Sequence, residues 1–398
     1  MRFEIDIKYP KSEMDKSLKR LIARSDFRYE DRAPVNFCIE PRLIAPYFGI
    51  KYKDIFTDAE TQYYYLLKFA KWQIENIPSD FCHAPFVAVA PYFDNVKQAS
   101  AFGCRVEWSE NAPLQAVPFM KDVAEIDNMY LPKPTDGLFG QYIDWWFKFQ
   151  EFAKDTKVTF SGGETGKVIL HPLTVAGLSP HMVATDIAGT ELFYWMGEEP
   201  EMCHKMLDKI TRNQIECEEY VRKLSGVKIG GFGLAEDSAT MLSPQMYREI
   251  AMPYSMRMYE HFGKGLKFGR GMHNCGSSTH LLDVFVDEVK ISDYNVFGYL
   301  VKPETAAEKL GGKMLLWGNI NPMLMLSGTK AQVKDECLRA LSNMAPCGGF
   351  MLGDGANVCP GTPLENITVF CEAAAEYGKP KVKKKYAERT LERFGTVK

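Results

Sequence analysis

The stretch "KMLLWGNINPMLMLSGTKAQV", residues 313–333, decides the fold. Its first eight residues form an apolar run that predicts a buried strand. Thr329 and Gln332 then form a capping box, which predicts the start of a helix. One apolar face of that helix contains Val333, Cys337, Leu338, Leu341 and Met344. The stretch therefore predicts a strand followed by an amphipathic helix, the repeating unit of α/β proteins.

Seven other apolar runs also predict strands, and they alternate with segments of helical period. They are residues 33–39, 86–92, 167–175, 228–236, 266–274, 288–296 and 348–355. Eight strands alternating with helices predict a mostly parallel sheet, and in a chain of 398 residues they predict a (β/α)8 TIM barrel. A doubly wound open sheet is the alternative. It loses support because the chain has neither the GxGxxG nor the GxxxxGK motif of nucleotide-binding versions.

Residues 40–165 depart from this alternation. They are rich in aromatic residues, as in "TQYYYLLKFAKW" at 61–72 and "YIDWWFKFQEF" at 142–152. We expect this segment to form helices that cover one end of the barrel or build the face of a homodimer. Residues 1–398 are thus predicted to form a single barrel domain, of which 40–165 are partly a helical elaboration.

The composition favours small-molecule chemistry. The chain is 46% hydrophobic and 25% charged, and its formal net charge is −3, which gives no general attraction to nucleic acid or to an anionic membrane. The N-terminal sequence lacks the apolar core of a secretory signal, and no run of 18 apolar residues occurs. The ten cysteines include no CxxC pair, so most are expected to be buried, reduced thiols. A cytoplasmic location is expected.

Polar side chains collect where the predicted strands end. In a TIM barrel the catalytic groups lie at the carboxyl ends of the strands. The strand predictions place there Glu236, Asp237, His273, Cys275, Asp293, Asn319, Asn321, Asp354, Asn357 and, just beyond, Cys359. We therefore expect the active site in this layer.

His273 and Cys275 are the first candidates for metal ligands. They lie two residues apart on an extended segment, so their side chains share a face. A nitrogen and a sulfur donor suit Zn²⁺ better than Mg²⁺ or Ca²⁺. Cys359 is a candidate third ligand, although its position fits a small buried residue before a helix equally well. An oxygen ligand could come from one of three acidic residues, Glu236, Asp237 or Asp354.

Four segments resemble the uroporphyrinogen decarboxylase superfamily and, within it, the corrinoid-dependent methyltransferases. They are "EDSATMLSPQMYREIAMPYSMRMYEHFG" at 236–263, the HxCG at 273–276, "WGNINPMLMLSGTKAQV" at 317–333 and "GTPLENITVFCEAAAEYG" at 361–378. The resemblance implies a TIM barrel that acts as a zinc-containing methyltransferase. Its cobalamin would be carried by a separate corrinoid protein, because the chain has no DxHxxG cobalamin signature of its own.

The sequence departs from the family pattern at two places, which limit the expected substrate and the expected zinc ligands. In the decarboxylases an arginine-rich segment follows the first strand and binds the substrate carboxylates, whereas residues 38–48 of this chain contain Arg42 alone. Decarboxylation of a tetrapyrrole is therefore not expected. In the methyltransferases that act on coenzyme M, a later cysteine completes the zinc site about six residues before a Thr-Pro pair. Ala356 occupies that place here, and Cys359 lies three residues closer to Thr362.

If the reaction is methyl transfer, further residues are expected to act in catalysis and in substrate binding. Three carboxylates are expected to be catalytic, as a zinc ligand or as the acid that protonates the leaving group: Glu236, Asp237 and Asp293. The expected substrate-binding residues are Phe232, Tyr294, Asn319 and Asp354. The expected donor is a small methylated compound such as an aryl methyl ether. The alternatives are a metal-free decarboxylase or lyase on the same scaffold, and a non-catalytic corrinoid-binding protein.

Overall fold

In the computed structural model, which describes residues 2–226 and 231–395, helices alternate with short strands. The strands are β1 (Phe3–Ile7), β2 (Phe86–Val89), β3 (Arg105–Glu107), β4 (Gln115–Val117), β5 (Thr156–Phe160), β6 (Glu164–Leu170), β7 (Gly233–Ala235), β8 (Gly271–His273), β9 (Asp293–Asn295), β10 (Leu315–Ile320) and β11 (Phe350–Asp354). The helices are α1 (Lys11–Ser25), α2 (Pro41–Ile44), α3 (Ala59–Asn76), α4 (Lys97–Ala101), α5 (Gly137–Lys154), α6 (Pro180–Ala188), α7 (Glu191–Glu198), α8 (Pro200–Ser225), α9 (Pro244–Met246), α10 (Met252–Phe262), α11 (Pro303–Leu310), α12 (Pro322–Ser327), α13 (Lys330–Met344), α14 (Leu364–Tyr377) and α15 (Lys384–Phe394). Among the described residues, no helix combines the length and the apolar character that crossing a bilayer requires.

Five parallel strands form the sheet that positions the site, in the order β11–β10–β9–β8–β7. Strands that follow one another in the chain are neighbours in the sheet, as in a series of β–α–β units. Single parallel bridges extend both edges, from Val35 to Leu352 and from Leu178 to Ala235. Seven parallel chain segments are connected in this way, and their carboxyl ends meet on one side.

A second, mixed sheet has the order β1–β5–β6–β2. Its strand β2 lies within the predicted run 86–92, and β6 overlaps the predicted run 167–175 but begins three residues earlier, at Glu164. Strands β1 and β5 were not predicted. The predicted strand 33–39 is reduced to the single bridge at Val35. Of the predicted strand 228–236, residues 228–230 lie outside the described residues, and β7 begins at Gly233.

The aromatic segments within 40–165 are helical and pack against each other. Tyr63 on α3 and Phe149 on α5 form an edge-to-face ring pair with centroids 5.0 Å apart. Trp146 on α5 donates its ring N–H to the carbonyl of His171, just after β6, at 2.9 Å. These contacts hold α3 and α5 against the second sheet.

The buried carboxylate of Asp80 connects the segment around Val35 to α1. It accepts the main-chain N–H of Val35 at 2.8 Å and the hydroxyl of Ser17 at 3.0 Å. It also pairs with the guanidinium groups of Arg20 at 3.0 Å and Arg32 at 2.8 Å. Asp80 is 1% exposed, so these contacts form in a poorly hydrated interior, where a lost partner is costly.

Replacing Asp80 by Ala should lower the free energy of unfolding by about 3–5 kcal/mol, because two largely buried arginines lose a carboxylate partner. Urea unfolding followed by circular dichroism measures the change. The control is Asp15→Ala, which removes an exposed acid of α1 that lies 4.0 Å from Lys11 and should shift the midpoint little. Equal effects of the two substitutions would contradict the anchoring role of Asp80.

Candidate metal centre

The register of β7 and β8 brings their carboxyl ends side by side. Ala235 on β7 pairs with His273 on β8. The N–H of Glu236 then donates to the carbonyl of His273 at 2.9 Å, so the pairing continues one residue past β7. Asp237, the next residue, therefore lies beside the end of β8, where the chain carries Cys275.

Asp237, His273 and Cys275 together offer three donor atoms to a metal ion. One donor atom from each side chain lies within 4.8 Å of the other two, and Nε2 of His273 is 3.8 Å from Oδ2 of Asp237. Donors about 2.0–2.3 Å from a tetrahedral zinc ion are about 3.3–3.8 Å from one another. Small movements therefore suffice for one ion, and zinc accepts nitrogen, thiolate sulfur and carboxylate oxygen as ligands.

Hydrogen bonds orient Asp237. The main-chain N–H of Cys275 donates to Oδ1 of Asp237 at 2.7 Å. The hydroxyl of Thr240 donates to the main-chain carbonyl of Asp237 at 2.8 Å. Because Oδ1 is occupied, Oδ2 is the oxygen that lies toward His273. Contacts of this kind hold metal ligands in position.

Close packing fixes the loop that follows β8. A Cβ atom at Gly276 would lie 2.7 Å from a side-chain carbon of Thr240, and one at Gly298 would lie 2.1 Å from the carbonyl oxygen of Gly276. The N–H of Gly298 donates to the carbonyl of Asn274 at 2.9 Å. The loop therefore packs closely against Thr240 and Gly298, and neither glycine can be replaced by a larger residue without movement of its neighbours.

The charges of the site favour a bound cation. Burial raises the pKa of the Cys275 thiol to about 12, and the neighbouring Asp237 carboxylate adds to the increase. A divalent cation bound among the donors would lower the pKa of the thiol, because it would stabilise the thiolate and the carboxylate together. With His273 neutral, the three ligands would carry two negative charges, which balance Zn²⁺.

Glu236 lies next to the donor group without belonging to it. Its side chain is fully buried and accepts the hydroxyl of Ser255 at 2.8 Å. Burial raises its pKa to about 7, although the hydroxyls of Ser179 and Ser255 act against the increase. Glu236 can therefore hold or release a proton near neutral pH.

Asp354 and Cys359 do not join the donor group. Asp354 ends β11, is fully buried and accepts the N–H of Cys38 at 2.8 Å. Its other oxygen has no hydrogen-bond partner among the described residues, and burial raises its pKa well above the usual value. The carbonyl of Cys359 accepts the N–H and the hydroxyl of Thr362 at 3.1 and 2.7 Å, so Cys359 forms a turn before α14.

Asp293 and Phe232 lie at the amino ends of their strands, not at the expected carboxyl ends. Asp293 is the first residue of β9, level with Gly271 at the start of β8, and its carboxylate is 3.5 Å from the guanidinium of Arg24. Phe232 precedes β7, and its ring lies 4.9 Å from that of Phe262 on α10. The predicted placement was wrong because β7 and β9 both begin five residues later than the runs 228–236 and 288–296.

Tyr294 and Asn319 make contacts that support the loops. Tyr294 is fully buried in β9, and its hydroxyl lies 3.0 Å from the hydroxyl of Ser278. The side-chain amide of Asn319 donates to the carbonyl of Val301 at 2.7 Å and to that of Gly298 at 3.3 Å. Their roles in substrate binding stay predictions.

Cys38 is a residue near the site that the sequence reasoning missed. Its thiol donates to the side-chain oxygen of Asn357 at 2.9 Å. Burial raises its pKa well above the usual value, and Cys275 is one of the groups that contribute to the increase, so the two thiols lie within electrostatic reach. The position of Cys38 at the end of the predicted strand 33–39 was the available signal.

A family model for uroporphyrinogen decarboxylase (URO-D) matches residues 83–377, which include all three donor residues. The chain belongs to the URO-D family. Among its relatives, a methylated-thiol–coenzyme M methyltransferase of Methanosarcina mazei is 24% identical over 302 residues, or 74% of each chain. The uroporphyrinogen decarboxylase of Danio rerio is 26% identical over 196 residues, which are 48% of this chain and 51% of that protein.

A solved structure of similar fold supports the α/β architecture. A methyltransferase from Methanosarcina mazei matches with a TM-score of 0.65 at 19% identity, and the match covers 91% of this chain and 99% of that one. The predicted α/β fold class and the predicted superfamily are thereby confirmed, whereas the closed eight-stranded barrel stays a prediction, because the described strands form separate sheets of five, four and two strands. The likeness to the methyltransferase spans most of this URO-D chain, whereas the chain spans about half the length of the Danio rerio decarboxylase.

The donor group predicts which substitutions weaken zinc binding. Asp237→Ala and Cys275→Ser should each reduce the affinity at least about tenfold, because each removes a ligand. Competition with a chromophoric chelator at constant pH measures the affinity. Cys359→Ser is the matched control and should change it by less than about threefold, since Cys359 lies outside the donor group. A large effect of Cys359→Ser with none of Asp237→Ala would refute this set of ligands.

Proposed function

We propose that this protein is a zinc-dependent methyltransferase that moves a methyl group between a small methylated substrate and the cobalt of a separate corrinoid protein. The observation that carries the proposal is the donor group of Asp237, His273 and Cys275 at the carboxyl ends of β7 and β8. The similarity to a methylated-thiol–coenzyme M methyltransferase supports it. A methyl ether, such as an aryl methyl ether, is the proposed donor.

The exposure of the donors suits a catalytic centre better than a structural one. The side chains of His273 and Asp237 are 31% and 30% exposed, so a substrate can approach them. Three protein ligands leave one position of a tetrahedral ion for substrate, whereas structural zinc sites have four protein ligands. When bound there, zinc supplies Lewis acidity, which activates an ether oxygen or a thiol sulfur for methyl transfer.

Residues of the chain itself are proposed to position the two loops and to transfer the proton. Asp237 fixes the relative position of the two loops, because it accepts the N–H of Cys275 while lying beside His273. Glu236 is the candidate for the group that holds the proton of the leaving group, since its pKa is about 7 and it adjoins Asp237 in sequence. Asp293 is not assigned this role, because it lies at the opposite end of its strand.

A methyl acceptor on another protein requires an open approach to the donors. His273 ends β8, and Asp237 and Cys275 lie on the loops beyond β7 and β8, at the side where the carboxyl ends of the parallel strands meet. In barrels of this type that side carries the active site and receives the substrate. The corrinoid protein is therefore proposed to dock over these loops, with no nucleic acid and no membrane involved.

The assay mixes zinc-loaded protein, a reduced corrinoid protein and a panel of methyl ethers, methyl thioethers and methylamines. We expect at least one donor to convert Co(I) to methyl-Co(III), which the absorbance spectrum reports. Cys275→Ser should abolish this change because a zinc ligand is lost. Cys371→Ser, which alters a cysteine of α14 whose thiol contacts the carbonyl of Pro78, should retain it. Turnover that survives in Cys275→Ser, or release of CO2 without any cobalt methylation, would contradict the proposal.

A further inference from the structure

A small cavity of about 120 Å³ lies beside β7, next to the candidate metal centre. Ala235, the last residue of β7, lines it together with Gly177 and Leu178. The N–H of Ala235 donates to the carbonyl of Gly177 at 2.8 Å, so these two lining segments are hydrogen-bonded to each other. Asp237 follows Ala235 by two residues, so the cavity and the donor group lie at the same, carboxyl end of β7.

Lys97, the first residue of α4, is the one positively charged side chain among the described residues that line this cavity. Its ammonium group forms no hydrogen bond and no ion pair with any residue the structure describes. It lies 4.5 Å from the ring centre of Tyr142, a contact that compensates only part of the lost hydration. Burial lowers the pKa of Lys97 to about 8. The cavity thus holds a poorly solvated cation.

Asp94 lines the same cavity but does not neutralise Lys97. Its charge acts to raise the pKa of Lys97, yet other donors occupy its carboxylate. Oδ2 accepts the hydroxyl of Tyr52 and the N–H of Leu114, and Oδ1 accepts the hydroxyl of Tyr92, each at 2.8 Å. These three hydrogen bonds hold Asp94 in place and stabilise its charge. The Lys97 ammonium therefore remains available to an anion from outside the chain.

We propose that Lys97 binds the carboxylate of the substrate, and that the substrate is a small methylated carboxylic acid. The inference rests on the proposed methyl transfer, because it assigns the two ends of one molecule to the cavity and to the donor group. A cavity of this size admits a carboxylate and few further atoms. Lys97 is then a positioning residue, which selects an acid and directs its methylated end toward Asp237, His273 and Cys275.

Direct binding to the zinc-loaded protein tests this inference. Isothermal titration calorimetry would compare methoxyacetate, 3-methoxypropanoate and 4-methoxybenzoate with their uncharged primary amides. At least one acid should bind about ten- to hundredfold more tightly than its amide, as expected for a hydrogen bond between charged groups. In Lys97→Met the preference should fall below about threefold while the affinity for the amide is retained. Lys97→Arg, which keeps the charge, should keep the preference.

Three results would overturn the inference: equal binding of every acid and its amide, no binding of any acid, or a preference that survives in Lys97→Met. The measurement does not depend on methyl transfer. Selective acid binding without cobalt methylation would therefore contradict the proposed reaction and leave the role of Lys97 standing. Methyl transfer from uncharged donors alone, at a rate that Lys97→Met leaves unchanged, would contradict the role of Lys97 and leave the proposed reaction standing.

Discussion

The hydrogen bond from the Cys275 N–H to the Asp237 carboxylate, 2.7 Å long, is the contact on which the candidate site depends. It joins the loops that follow two adjacent parallel strands, and it forms because Ala235 and His273 are in register. By occupying one oxygen of Asp237, it leaves the other toward His273. The side-chain amide of Asn274 connects the same two loops a second time, by donating to the main-chain carbonyl of Glu236 at 2.7 Å. One main-chain contact thus assembles a nitrogen, a sulfur and an oxygen donor.

The alternation of apolar runs and amphipathic helices predicted the parallel order of β7 to β11, and the strand period placed His273 and Cys275 on one face. Both predictions are correct because they depend on patterns that are local in the sequence. Asp293 and Phe232 were misplaced because apolar runs extend beyond the short strands they contain, so the run alone does not mark where pairing begins. The choice of Asp237 over Glu236 as ligand could not be predicted, since it depends on which carboxylate is buried.

A zinc ion held by Asp237, His273 and Cys275 would account for one departure from the family pattern. The resemblance predicts a cysteine ligand where this chain has Ala356, and Cys359 forms a turn instead. Asp237 can supply the third ligand from β7 in its place. A carboxylate is a weaker electron donor than a thiolate, so a zinc ion held this way would be more electrophilic. That suits activation of a methylated donor, and the cation at Lys97 suits a donor that is an acid.

X-ray absorption spectroscopy at the zinc edge tests the central claim, that Asp237, His273 and Cys275 hold one metal ion. We expect a single sulfur at about 2.3 Å and nitrogen and oxygen ligands at about 2.0–2.2 Å. The sulfur contribution should disappear in Cys275→Ser. Two or more sulfur ligands in the unaltered protein, or a spectrum that Asp237→Ala leaves unchanged, would contradict it.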